Sequence, residues 1–294
     1  MNKAVGNKIA SAKKIASLII FYLLLTIFAL AIIIPFYMIV ITSLKRTNAL
    51  ATKSPFVWFP SLSDISFNSY GRVFTDYQSA NKISLVLTGL MNTMIIMVPT
   101  LLIGMFSSAI AAFAYAKMKF PFKSLLFSVL LASMMLPGIV LLVPSFVLYD
   151  TLNLTNTFFP LMAPGMFGSV AAIFFLRQFY RGLPDELVEA AKIDGMNHFK
   201  IFFVIIVPLS MPALLAQGVL GFLGIYNDYL GPLIYLNRDT MYTLQLALKE
   251  FSGSTQEIMP VMAGAVMAML PALALYFIAQ KYFIQGIAMS GLKA

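Results

Sequence analysis

The sequence predicts an all-α polytopic membrane protein with six transmembrane helices. Three observations lead there. Of the 294 residues, 60% are hydrophobic and only 11% are charged, whereas a soluble domain carries about 25% charged residues. Apolar windows long enough to cross a bilayer, roughly 20 residues each, recur along most of the chain. These windows are continuous, which excludes a β-barrel, whose strands alternate apolar and polar residues over about 10 positions.

The elements follow in order. A basic leader, 1–14, with Lys3, Lys8, Lys13 and Lys14, precedes the first span, 15–42. That span is too long for the apolar core of a secretory signal, about 7–15 residues, and no A-x-A-like cleavage site follows it, so it reads as a retained signal-anchor. An outer loop, 43–84, holds Trp58, the only tryptophan. Trp58 is expected at the headgroup level as an interface anchor, with a contact to substrate or partner as the alternative. Further spans are expected at 85–115, 124–148, 158–176, 202–230 and 259–280. Pro35, Pro99, Pro137, Pro144, Pro164 and Pro271 fall in or near them. Proline removes a backbone donor and bends a helix, so kinks are expected.

Orientation follows from the basic residues. With the N-terminus inside, thirteen of the twenty Lys and Arg face the cytoplasm, including Lys117, Lys119, Lys123, Arg177, Arg181, Lys192 and Lys200. Seven face outward, five of them in the first outer loop. The positive-inside rule then places both termini in the cytoplasm. The net charge of +9 therefore reads as topology, and no nucleic-acid partner is expected.

Several chemistries are excluded. Without cysteine there is no disulfide or thiolate metal site, and His198 is the only histidine, so no metal site is expected. The chain lacks the G-x-x-x-x-G-K-[ST] phosphate loop and is expected to bind no cofactor itself. Ion-coupled carriers keep ionisable residues inside the membrane. Here the span interiors hold none, and only Asp228 comes close, at the outer end of the fifth. A pore driven by a separate motor remains.

A polar segment between spans four and five suggests where a motor would attach. It holds four of the eleven acids: Asp185, Glu186, Glu189 and Asp194. Pro184 suits the first turn of a helix, and carboxylates there favour its positive end. Leu187, Ala190, Ala191 and Ile193 form an apolar face, with Glu186, Glu189 and Lys192 on the other. Gly195 supplies the left-handed position that stops the helix. A helix this short is not stable alone and needs a surface to lie on. A lipid-bound helix would want aromatic and basic residues on opposed faces, so a groove on another protein is the better match.

The spacing Glu189-Ala190-Ala191, then Gly195, Ile205, Val207 and Pro208, resembles the EAA signature of permease subunits of binding-protein-dependent ABC importers. Val207 stands where that family usually has leucine. Further along, Tyr226, Asn227, Asp228, Tyr229 and Leu230 to Leu233, then Thr243-Leu244, Gly264 and Gln280 to Gly286, are similar to the MalG-type permeases of carbohydrate importers. Tyr226 replaces their usual tryptophan.

This resemblance implies a short cytoplasmic coupling helix at 184–197, seated in a cleft of a cytoplasmic ATPase dimer. Glu186, Leu187, Glu189, Ala190, Ala191, Ile193, Asp194 and Gly195 would form its docking surface. It also implies a second homologous permease subunit, an extracytoplasmic solute-binding protein, and ATP with Mg held by the ATPase alone. The chain would be a transport subunit, not an enzyme, in a bacterial plasma membrane, with 15–294 as its transmembrane domain. Asn92, Gln217, Phe222, Tyr226, Asn227 and Tyr229 offer the aromatic faces and polar groups of a sugar path. Helix packing is their competing role. Alternative readings are a permease for amino acids or peptides, an ion-coupled carrier and a membrane enzyme.

Overall fold

The computed structural model describes residues 2–45, 58–59, 62–75, 78–254 and 257–291, with side chains described for 14–45, 58–59, 62–75, 78–253 and 257–280. The helices are α1 (Asn2–Ser43), α2 (Asn68–Thr75), α3 (Leu85–Lys117), α4 (Lys123–Ser133), α5 (Leu142–Thr151), α6 (Phe159–Met166) and α7 (Val170–Arg181). They continue as α8 (Glu186–Ile193), α9 (His198–Ile201), a π-helical stretch (Phe202–Ile206), α10 (Val207–Leu209), α11 (Met211–Tyr226), α12 (Leu230–Tyr235), α13 (Leu244–Ser254) and α14 (Ile258–Gly291). Among the described residues there is no β-strand, only isolated bridges from Lys45 to Ile65 and from Gln78 to Ser84. Among the described residues, four helical runs are long and apolar enough to cross a membrane, Lys14–Ser43, Leu85–Lys117, Phe159–Arg181 (α6 with α7) and Ile258–Gln280, or up to six if each of two bent pairs is one span.

The chain divides into two compact units: 1–73 with 255–267, and 74–254 with 268–294. In the first, Lys14–Ser43 of α1 has a mean hydropathy of 2.9, and none of its apolar window is buried. A helix apolar on every side and uncovered by its own chain belongs in lipid or against another subunit. The leader expected ahead of this span is the start of the same helix. The Tyr37 hydroxyl donates to the Trp58 carbonyl at 2.6 Å, holding the half-exposed tryptophan near α1. Much of the outer loop around it, 46–57 and 60–61, lies outside the described residues. Ser43 meets the Tyr70 hydroxyl at 2.7 Å, and Arg72 of α2 pairs with Glu257 just ahead of α14.

The second unit is built on α3, against which α6, α7, α11 and α13 pack. Ser84 caps its start, accepting from the Leu87 amide at 3.4 Å. Small and polar residues are buried along it, among them Thr93, Thr100, Ser108, Ala109 and Ala112. Between helices in a membrane such residues let backbones approach closely. The tightest approach is at Gly104, where an added Cβ would lie 2.3 Å from the Gly165 carbonyl oxygen of α6. Gly104→Ala is therefore expected to push α6 off α3 and destabilise the unit by about 1–3 kcal/mol. A lowered melting temperature of the purified protein would verify this, and an unchanged one would refute the close crossing.

Two spans expected as continuous helices are sharply bent at a break, and the one at 158–176 is interrupted between α6 and α7. At 124–148, α4 and the helical run Gly138–Thr151 meet at 84°. Pro137 stands at that break; it lacks an N–H and restricts the residue before it. At 202–230, His198–Leu209 and Met211–Tyr226 meet at 80° around Ser210, and Pro212 opens α11. Ser210 is fully buried, and its hydroxyl turns back to the Ile206 carbonyl at 2.6 Å and the Val207 carbonyl at 3.2 Å. Helices α12 and α13, which no apolar window marks, fill the connection before α14.

Candidate functional site

The helix that the acidic segment forms is α8, eight residues long and shorter than the expected 184–197. Asp185 is its N-cap and Pro184 precedes the cap. The Asp185 side chain makes no capping bond, because Lys117 takes it instead. At the other end Gly195 has φ +77°, the left-handed value anticipated for it. The Met196 amide donates to the Ala191 carbonyl at 2.9 Å and the Gly195 amide to that of Lys192 at 3.0 Å. This pair of bonds is a Schellman stop. Asn197 then accepts from the Lys200 amide at 2.8 Å and starts α9, so little slack separates α8 from the next helix.

The faces of α8 differ from expectation. Val188 and Ala191 are only 4% and 3% exposed and join Leu176, Tyr180, Ile201 and Phe202 in the core. Leu187 and Ile193 point outward, 41% and 87% exposed, alongside exposed Glu186, Glu189, Ala190, Asp194 and Gly195. Ala191 was expected on the partner-facing side and is instead buried in its own chain. At 100° per residue, positions 188 and 191 share one row and 187, 190 and 194 the next. One apolar face is thus two: an inner one that seats the helix and an outer one left open. Val188, absent from the sequence-based set, is the inner anchor, and its three-residue spacing from Ala191 was the available signal.

Lys117 fixes the base of the site. Its side chain is only 3% exposed, and Nζ donates to the Leu183 carbonyl at 2.6 Å and to Asp185 Oδ1 at 2.5 Å. The hydrogen bond and charge of Lys117 hold the Asp185 carboxyl below its ordinary range. A depressed carboxyl stabilises the fold above its unfolded-state pKa, and the contribution is lost as pH falls through the lower folded value. Docking of α8 onto the end of α3 is therefore expected to weaken below about pH 4. Asp185→Asn should remove that acid-sensitive part, read as protease sensitivity near residue 185 against pH. An unchanged pH profile in the variant would refute the assignment.

The residues expected to line a sugar path differ in exposure. Asn92 is buried, and its amide donates to the carbonyls of Thr240 and Tyr242 at 2.9 and 3.0 Å, clamping the approach to α13. Phe222 and Tyr226 are buried with rings stacked at 5.0 Å, and the Tyr226 hydroxyl donates to the Ala268 carbonyl at 2.7 Å. These three serve helix packing, the competing role. Asn227 is exposed and donates to the Leu223 carbonyl, while Gln217 and Tyr229 are half-buried. A cavity of about 40 Å³ lies between Thr93, Leu161, Asp228 and Thr243. It has room for a water or two and is far too small for a sugar ring.

With this geometry in hand, residues 104–289 match the family described as "Binding-protein-dependent transport system inner membrane component". The chain belongs to that family. It is thus an ABC-importer permease component, and its role is transport rather than catalysis. An arabinooligosaccharides transport system permease protein, AraQ, of Halalkalibacterium halodurans is 34% identical over 69% of this chain and 72% of its own. A melibiose/raffinose/stachyose import permease protein, MelC, of Bacillus subtilis is 32% identical over 96% of this chain and 99% of its own. Among solved structures, a bacterial ABC transporter involved in import of the acidic polysaccharide alginate superposes with a TM-score of 0.78. That match is at 25% identity and covers 90% of this chain and 95% of the other.

In this permease the matched region holds α8, its seat and the last part of α3, from Gly104 onward. After a short non-helical link at 195–197, His198–Leu209 runs as α9, the π-helical stretch and α10 without a loop. Pro208 stands in α10 directly after the π-helical stretch, where its missing N–H removes one bond of the helical ladder.

Proposed function

We propose that this permease carries a sugar or oligosaccharide inward across a bacterial cytoplasmic membrane, driven by ATP hydrolysed on a separate ATPase dimer. Its six spans run at about 15–42, 85–115, 124–148, 158–176, 202–230 and 259–280, with each bent pair forming one span. The cytoplasmic leader is 1–14, the transmembrane domain 15–294, and both termini lie inside. The outer face of α8, with Glu186, Leu187, Glu189, Ala190, Ile193, Asp194 and Gly195, docks on the ATPase. A second homologous permease and a solute-binding protein complete the importer, and no cofactor is held by this chain.

One observation carries the reading. A two-turn helix, anchored by Val188 and Ala191, leaves Ile193 87% exposed. An isolated helix of that length is unstable, and an apolar side chain held rigidly outward is the form of an interface anchor. The substrate class is supported by what AraQ and MelC are said to transport. With Asn92, Phe222 and Tyr226 buried in packing, we place the path between this subunit and the second permease.

Reconstitution of the complete importer in liposomes tests this. Uptake of a labelled oligosaccharide should require internal ATP, and Ile193→Asp should abolish it while leaving the protein in the membrane. Uptake driven by a proton gradient without ATP would overturn the ATPase coupling. Uptake of amino acids or peptides instead of sugars would overturn the substrate class.

A further inference from the structure

We infer that the end of α3, the start of α4 and the end of α7 form a binding site for the headgroup of an anionic phospholipid. Here Lys123 Nζ donates to the Met118 carbonyl at 2.8 Å. Arg177 Nε donates to that of Tyr115 at 3.2 Å, and its guanidinium lies 3.8 Å from the centroid of the Phe127 ring. These bonds hold two cations in place. Arg181 lies one turn further along α7, close enough that it and Arg177 both repel Lys123.

The acid within reach of Lys123 is Asp185, and Lys117 already occupies it. Lys123, Arg177 and Arg181 therefore form a positive cluster with no ion pair among the described residues. Arginine offers five N–H donors, and Arg177 uses one of them on Tyr115, leaving its fork for a phosphate. Assembling like charges this way costs energy unless an anion joins them.

What the anion is attached to follows from α4. Phe122, Leu125, Leu126 and Val129 are 74%, 60%, 48% and 60% exposed. Their spacing puts them on one face, running away from the cations along a helix that is part of a candidate membrane segment. Cations followed by an apolar stripe match a phosphate followed by an acyl chain. Basic pockets between membrane helices take acidic headgroups in this manner. The inference rests on membership in the membrane family and not on the solute transported.

The purified importer, exposed to equal amounts of phosphatidylglycerol and phosphatidylcholine in detergent, is examined by native mass spectrometry. Wild type should retain phosphatidylglycerol about tenfold over phosphatidylcholine, and Lys123→Gln with Arg181→Gln should bring the ratio near one. Arg181→Gln alone, at an exposed side chain, should lower the ratio about fivefold and keeps the test valid if the double variant does not fold. Equal retention of both lipids by wild type, or a preference the variants keep, would overturn the site. Full displacement of phosphatidylglycerol by millimolar inorganic phosphate would mark a free-phosphate site and overturn the lipid assignment.

Discussion

Gly195→Asp should leave the permease folded in the membrane but reduce its engagement with the ATPase about thirtyfold or more. The two halves of that expectation have separate causes. At φ +77° most L-residues are strained, but aspartate is among the few that visit this region. A Cβ at position 195 meets nothing of its own chain within 4 Å, so the new side chain projects outward without disturbing the core. What it disturbs is whatever lies against the outer face of α8. Burying a carboxylate in the centre of an interface typically costs 2 kcal/mol or more, which sets the scale of the loss. Co-purification of ATPase with the variant, normalised to permease in the membrane, measures it. Wild-type transport and assembly by this variant would end the docking reading.

Tyr180→Ala should act from the opposite side of the same helix. Tyr180 is fully buried in the core cluster that includes Val188 and Ala191, so its ring is part of the seat on which α8 rests. Removing a buried aromatic leaves a cavity, and such changes cost about 3–5 kcal/mol. The variant should melt well below wild type and expose α8 to protease before the rest of the unit unfolds. If the melting temperature were unchanged, α8 would owe nothing to this seat. Together the two variants separate the surface that positions the helix from the surface it offers.

The sequence made some of this legible and concealed the rest for physical reasons. Long apolar windows marked α1, α3 and α14 because a bilayer demands length and apolarity together. Gly195 announced its left-handed stop because few other residues can make it. The breaks at Pro137 and Ser210 were harder to see. Proline signals a bend but not its size, and an apolar helix carries no marker of direction. Ala191 was placed on the wrong side because five of the eight residues of α8 are apolar, which blurs the boundary between its faces. Helices α12 and α13 escaped notice because they are short, and α13 is held by polar bonds. The Thr93 hydroxyl accepts from the Leu244 amide at 2.9 Å, and Gln245 donates to the Tyr226 carbonyl. Asn92 of the expected sugar path was as hard to place: it clamps the approach to α13, whereas Asn227 is exposed. An amide that clamps a turn and one that grips a hydroxyl read alike in a sequence.

The joint at Ser210 has a consequence for where the protein can bend. Breaking a helix inside hydrocarbon strands carbonyl groups that water would otherwise satisfy. Here the Ser210 amide pairs with the Ile206 and Val207 carbonyls at 3.0 and 3.2 Å, and the hydroxyl reaches back to the same two oxygens, so one residue closes the turn that leads into the elbow. A bend closed in this way needs no water at those two oxygens, which suits an oily surrounding.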